Sequence, residues 1–239
     1  MNSRNHDALV IKSINYKDSD KIYTFFVRDL GKISCKAKGV RKFSSKRMSS
    51  LDTLNYIRVG LYGNNEIRTI TETKLIHSFQ GIKQNLNKLK SAFYMIEVIN
   101  KSLYESSESE TIFDLLLKCL KRLEETNYTD TRIENYFEYQ FLALSGYNLN
   151  ISNCSFCNNV IDKNQDNSFN YETNGVVCSA CSSHLVNILT QEDLDTFNFL
   201  DSGYKCEKLD FKKVDEILKY YITNLVGSSL KSQKYLSIT

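Results

Sequence analysis

No proline occurs anywhere in the 239 residues, so every turn must be made with glycine, asparagine, aspartate or serine. With the wealth of Asn, Lys, Ile and Tyr, this absence points to a compositional bias of the source genome and carries little structural meaning. Long hydrophobic runs are missing too. None approaches the roughly 18 residues that a membrane span requires, and the polar opening MNSRNHDALVIKS lacks the basic start and apolar stretch of a signal peptide. The expectation is a soluble, intracellular protein. Catalytic signatures are equally scarce. The three histidines, His6, His77 and His184, sit beside no Ser or Cys nucleophile in a recognisable motif. No G-x-x-x-x-G-K-[ST] loop is present to cradle nucleotide phosphates. Acidic pairs such as Glu124 and Glu125 fall on helix surfaces, where solvated charge is expected, so no enzyme is anticipated.

What is present begins with cysteine. Cys154-Ser-Phe-Cys157 is followed, twenty residues on, by Cys178-Ser-Ala-Cys181. Two C-x-x-C pairs at this spacing form two tight knuckles that a hairpin folds together into a tetrahedral four-thiolate zinc site. Four protein ligands saturate the ion and leave no open position for water or substrate. One structural zinc is therefore expected. Between Cys154 and His184 the only cation is Lys163, against Asp162, Asp166 and Glu172, and a tetrathiolate zinc adds a formal charge of about −2, so this surface repels phosphate. A scaffold role follows, and His184 is read as a surface histidine. The remaining thiols, Cys35, Cys119 and Cys206, are expected to be small hydrophobic groups, because a reducing compartment disfavours disulfides.

The net charge of +3 hides an asymmetry. Residues 1–80 hold fifteen Lys and Arg against seven Asp and Glu, whereas the remainder holds sixteen against twenty-one. A polyanionic partner for the first third is implied. Within it, Lys32, Lys36, Lys38, Arg41, Lys42, Lys46 and Arg47 occur with no acidic residue between. Seven uncompensated cations repel one another unless an anion neutralises them, and Gly39 with Ser44 and Ser45 lets the loop follow a phosphate chain. Phe43 could stack on an unpaired base, as could Tyr16, Tyr23 or Tyr62 if they face outward.

The chain order supplies the frame. Ala8–Ile14, Lys21–Val27, Lys32–Lys38, Asn55–Tyr62 and Ile67–Ile76 are rich in β-branched and aromatic residues and are separated by turn formers. Five short strands without a helical pattern predict a small closed barrel over residues 1–80. From Gly81 the period changes. Ile82, Leu86, Leu89, Phe93, Ile96 and Asn100 predict the apolar face of one long helix. A second helix is expected behind an N-cap at Ser109 and a third from Thr131 to a stop at Gly146. Thr190-Gln-Glu-Asp193 opens a fourth, and Val214, Ile217, Leu218, Tyr221 and Leu225 mark a fifth. The fold class is α+β: a barrel at 1–80, then a helical domain at 81–239 with the zinc hairpin inserted at about 150–184.

Several of these segments together resemble the bacterial RecO family of DNA repair proteins. They are Asn15-Tyr-Lys-Asp-Ser-Asp20, Asp29-Leu-Gly-Lys32, Ala37-Lys-Gly-Val-Arg-Lys42, Ser45-Lys-Arg47 and the Ser-Gly-Tyr147 that precedes the cysteines, with Leu-Lys-Ser232 near the end. The resemblance spans nearly the whole chain, and all four cysteines are kept. It implies an N-terminal OB-fold joined to a helical domain, and a recombination mediator rather than a catalyst. It also implies binding of single- and double-stranded DNA, annealing of complementary strands, and contact with SSB, RecR, RecA and in some cases RecF, in a cytoplasmic, nucleoid-associated protein. The cations of Lys32 to Arg47 are the expected DNA contacts, and Lys118, Lys121 and Arg122 are candidates for meeting the acidic tail of SSB. Two other readings of the residues stay open: an RNA-binding zinc-ribbon protein, and a metal-dependent DNA-processing enzyme.

Overall fold

The structure, a computed structural model, describes residues 4–41, 49–63, 67–102, 109–126, 131–182, 187–202, 208–227, 230 and 232. It forms two compact units, one of residues 1–130 with 229–239 and one of residues 131–228. Among the described residues no helix is long and apolar enough to cross a membrane.

Five strands open the first unit: β1 (Arg4–Tyr16), β2 (Asp20–Val27), β3 (Gly31–Ala37), β4 (Tyr56–Tyr62) and β5 (Ile67–His77). They close in the order β1-β2-β3-β5-β4, with every neighbouring pair antiparallel except β3 and β5. This is the barrel that the strand pattern predicts. Ala8, Val10, Tyr23, Phe25, Val27, Cys35, Ala37, Ile57, Val59 and Ile70 fill its interior. The alternation along each strand is what sends them there, since successive side chains point to opposite faces.

One apolar stretch of the outer face is covered by a helix. Leu9 pairs across the ladder with Phe26 on one side and Tyr56 on the other, and all three lie in the outward phase of their strands. Helix α1 (Gln80–Lys83) leads into α2 (Leu86–Ser102), and α3 (Ser109–Glu125) follows. Phe113 of α3 stands 5.5 Å from the Phe26 ring and 6.0 Å from that of Tyr56. Arg28 adds an ion pair to Asp114 at 2.8 Å. The Ser109 hydroxyl, expected as a cap for its own helix, donates to the Arg28 carbonyl of the barrel at 3.2 Å.

Two expectations for these helices change. The single long helix from Gly81 breaks at Gln84–Asn85 into α1 and α2, and the Asn85 side chain accepts from the Asn87 and Lys88 amides to start the second piece. The stripe read as core-facing is also only half buried. Leu86 is 69% exposed and Phe93 40%, whereas Ala92, Tyr94, Met95, Val98 and Ile99 are buried. The buried face is rotated because it contains Ser91 and Tyr94, whose polar atoms mask the period. Glu124, expected to be a solvated charge, accepts from the Gly81 amide at 3.0 Å and lies 2.5 Å from His77 Nε2. It supplies the first turn of α1 with an acceptor and a favourable charge.

The second unit contains α4 (Thr131–Leu144), the short strands β6 (Asn167–Asn170), β7 (Gly175–Val177) and β8 (Ile188–Leu189), then α5 (Gln191–Ser202) and α6 (Lys212–Val226). Gly146 ends α4 at φ +87, as its position predicts. The capping box at α5 forms as expected: Asp193 N donates to Thr190 Oγ1 at 3.1 Å, and Thr190 N donates back to Asp193 Oδ2 at 2.8 Å. Val214, Ile217, Leu218 and Tyr221 of α6 are buried.

Phe113→Ala removes the ring that joins α3 to the barrel. It should destabilise the protein by about 3–5 kcal/mol, read as a lower chemical denaturation midpoint. Thr190→Ala, which removes one half of the α5 cap, should cost about 1 kcal/mol in the same assay.

Candidate metal centre and nucleic-acid interface

The cysteine knuckles are shaped by their backbone. Cys154 N donates to Asn159 O at 2.8 Å and Asn158 N to Cys154 O at 2.9 Å, with Asn158 at φ +60. In the second knuckle Cys181 N and Ser182 N both donate to Cys178 O at 3.0 Å. The β6–β7 hairpin carries one knuckle to the other, and Ser155 N reaches Val176 O at 2.9 Å to join them. Gly175 is required at this crossing. A Cβ there would lie 2.4 Å from Ser155 Oγ and 2.7 Å from the Asn150 carbonyl.

The sulfurs of Cys154, Cys157, Cys178 and Cys181 all lie within 4.8 Å of one another. The 3.8 Å between Cys157 and Cys178 equals the edge of a tetrahedron of sulfurs about 2.3 Å from a central ion. Four thiolates at this spacing fit a thiophilic metal ion and exclude hard cations such as calcium or magnesium. Burial raises the Cys154 thiol, but backbone N–H groups of Cys157, Cys178 and Phe156 outweigh it and bring the group down to about 6. Cys181, crowded first by Cys157 and Cys178, is pushed up to about 12. A divalent ion lets all four ionise together. His184 lies outside the described residues. Lys163, the one cation in this segment, is taken up by an ion pair with Asp195. The hairpin therefore offers no uncommitted cation between Cys154 and Ser182, in keeping with a scaffold. Cys35 and Cys119 are buried, and burial pushes both thiols up to about 12, so they behave as the small hydrophobes expected. Cys206 lies outside the described residues.

The predicted basic contacts divide into three groups. Lys32 turns inward: it is half buried, donates to the Asn100 carbonyl near the end of α2 at 2.6 Å, and burial lowers its pKa. It serves as a cation at a helix C-terminus. Lys36, Lys38 and Arg41 gather around the β1–β2 hairpin. Lys36 Nζ lies 4.9 Å from the centre of the Tyr16 ring and pairs with Asp20 at 3.2 Å. Asp20 also accepts from Gly39 N at 2.8 Å, which is the main reason its carboxyl lies below the usual range. Lys38 is exposed, and Arg41 is exposed with Nη1 3.3 Å from the Lys17 carbonyl. Lys42, Phe43, Lys46 and Arg47 lie outside the described residues.

Of the three tyrosines, Tyr16 is 38% exposed and Tyr62 39%, but Tyr23 is 1% exposed and stacked on Phe25 inside the barrel. Tyr23 is therefore a core residue. The tertiary structure adds Lys17, at φ +53 in the hairpin turn with Nζ 5.6 Å from the Tyr16 ring. Nothing in the sequence singled it out, because it stands next to Asp18 and fifteen residues before the basic run. Lys118, Lys121 and Arg122 are exposed on α3.

Barrel and site define an OB-like barrel protein with a four-cysteine hairpin, able to hold a metal ion, in its second unit. Residues 1–79 match the family model "Recombination protein O N terminal" and residues 83–234 match "Recombination protein O C terminal". Among curated relatives, a DNA repair protein RecO of Clostridium perfringens is 28% identical over 97% of this chain and 94% of its own. One of Dehalococcoides mccartyi is 32% identical over 73% of this chain and 68% of its own. A third, of Desulforamulus reducens, is 29% identical over 94% and 87%. This chain belongs to the RecO family of DNA repair proteins.

Elemental analysis of protein purified without added metal should find about one ion per chain, bound by the four thiolates. Cys178→Ser should reduce that content to near zero and open the segment 154–182 to protease. Metal retained by that variant would remove Cys178 from the site.

Proposed function

We propose that this protein is a recombination mediator whose residues 1–80 bind single- and double-stranded DNA and anneal complementary strands. With RecR, and with RecF where it is required, it helps load RecA onto SSB-coated DNA in the bacterial cytoplasm and nucleoid. Its action is binding, with no bond made or broken. The observation that carries this reading is the end of the β1–β2 hairpin, where Lys17 and Lys36 approach the exposed ring of Tyr16, Arg41 reaches the Lys17 carbonyl, and Lys38 is exposed just after β3. Cations there neutralise phosphates while the ring stacks on an unpaired base. Lys42, Phe43, Lys46 and Arg47 follow in sequence and are proposed as further DNA contacts. Annealing then has an electrostatic origin: two strands whose phosphates are neutralised repel each other less, and base pairing proceeds.

The metal in this reading is one structural zinc held by Cys154, Cys157, Cys178 and Cys181, the ion that four thiolates in tetrahedral arrangement suit best in a non-redox role. The acidic tail of SSB is expected at Lys118, Lys121 and Arg122 on α3.

Annealing of complementary strands coated with SSB tests DNA binding and partner engagement together. The protein should accelerate it, and affinity for single strands should fall with salt by a log–log slope of about −0.7 per phosphate contacted. Replacing Lys38, Arg41, Lys42 and Arg47 by Ala should weaken binding alike on unrelated sequences and flatten that slope. Binding unchanged by the four substitutions would sink the assignment, as would strong preference for a matched RNA. Metal-dependent cleavage of the strands would favour a processing enzyme instead.

A further inference from the structure

The turn between β1 and β2 and the turn after β3 are tied together, and one carboxylate stands where they meet. Asp20, the first residue of β2, has a side chain only 14% exposed. Its Oδ1 accepts from Gly39 N at 2.8 Å, and its Oδ2 pairs with Lys36 Nζ at 3.2 Å. Gly39 is at φ +63, in the left-handed region, where the chain turns after β3. Beyond it Val40 is buried in the barrel core, and Arg41 N donates to Ser19 O at 3.0 Å. Arg41 Nη1 then reaches back to the Lys17 carbonyl, 3.3 Å away.

The sign of this group runs against its surroundings. Lys17, Lys36, Lys38 and Arg41 all belong to the two turns or to the strand that Asp20 joins. If charge alone set affinity for a polyanion, a carboxylate among them would only weaken binding. Its two acceptor oxygens, however, serve a backbone amide and an ammonium at once.

We propose that Asp20 is a positioning residue of the DNA-binding surface: it fixes the turn at Gly39 and so sets Lys36, Lys38 and Arg41 at the end of the β1–β2 hairpin before any anion arrives. This rests on the reading that residues 1–80 bind DNA. Cations held in place lose less freedom on meeting phosphate than cations on a loose turn, so the carboxylate raises affinity although it carries the wrong charge. Without its oxygen the Gly39 amide turns to water, and the turn loosens between Ala37 and Val40.

Three substitutions in the full chain separate geometry from charge. Asp20→Asn keeps an oxygen for the Gly39 amide and removes the charge, Asp20→Ala removes both, and Asp20→Glu keeps the charge but displaces the oxygens by one methylene. Equilibrium binding of a fluorescein-labelled oligo-dT strand is measured across a salt series. D20N should bind at least as tightly as the parent. D20A should bind severalfold more weakly, with a log–log slope flatter by about 0.7, the share of one phosphate contact. D20E should also bind more weakly than the parent at equal net charge, and it carries the test if D20A does not fold. Charge acting alone would make D20N and D20A tighter than the parent by one common factor and leave D20E unchanged, and that result overturns the proposal. D20A that melts at a lower temperature but binds as tightly as D20N would also overturn it, because Asp20 would then serve only the fold. A parent without affinity for the strand overturns the DNA-binding reading itself, and this proposal with it. A second measurement needs no DNA. Hydrogen exchange of the Gly39 amide, followed by NMR, should be slow in the parent and in D20N and severalfold faster in D20A; equal exchange in all three overturns the proposal.

Discussion

Three residue pairs, Ser34 with Ile67, Cys35 with Arg68 and Lys36 with Thr69, close the barrel, and the first unit depends on them. Among the described residues they are its only parallel contacts. Without them β3 and β5 would each present an open edge of unpaired N–H and C=O groups, a template for association with other chains. Closure also fixes the outer face. With the register set on all sides, Phe26 and Tyr56 stand either side of Leu9, and Phe113 finds both rings at once. A helix is thereby built onto a barrel too small to bury much surface by itself.

The same register governs charge. Lys36 lies one residue from the barrel interior and is held between Tyr16 and Asp20. Asp20 ties that margin together: it accepts from Gly39 N and from Ser19 Oγ as well as pairing with Lys36. It orders the turn that carries Lys38 and Arg41 while cancelling only part of their charge. The cluster can then be stable without ligand and still attract an anion. In the second unit the sign is opposite. Lys163 is spent on Asp195, and four clustered cysteines mark the hairpin. The four-cysteine hairpin and the basic hairpin thus fall to different parts of the chain.

Local signals were legible wherever neighbours in sequence do the work. The barrel strands, the stop at Gly146, the capping box at Thr190 and the four cysteines all rest on interactions within a few residues or on one rigid spacing. The failures share a different origin. Tyr23 and Tyr16 are alike in sequence, but strand phase sends one into the core and leaves the other at the surface. Glu124 reads as a surface charge until the fold brings Gly81 and His77 to it across more than forty residues. Lys32 belongs by sequence to the basic run, yet its ammonium is drawn to the Asn100 carbonyl.

By itself the sequence determined the family, the barrel, the pairing of the four cysteines and the place of the basic run, because composition, period and spacing are properties of adjacent residues. Only the tertiary structure decided which of those cations face outward, which face of α2 is buried and where the chain beyond Leu230 is fastened. Each of these choices depends on a partner distant in sequence: Asn100 for Lys32, Tyr16 for Lys36, Glu97 for Ser232. Such pairs exist only after the barrel has closed, when burial and hydrogen bonding select among side chains that the linear pattern leaves equivalent.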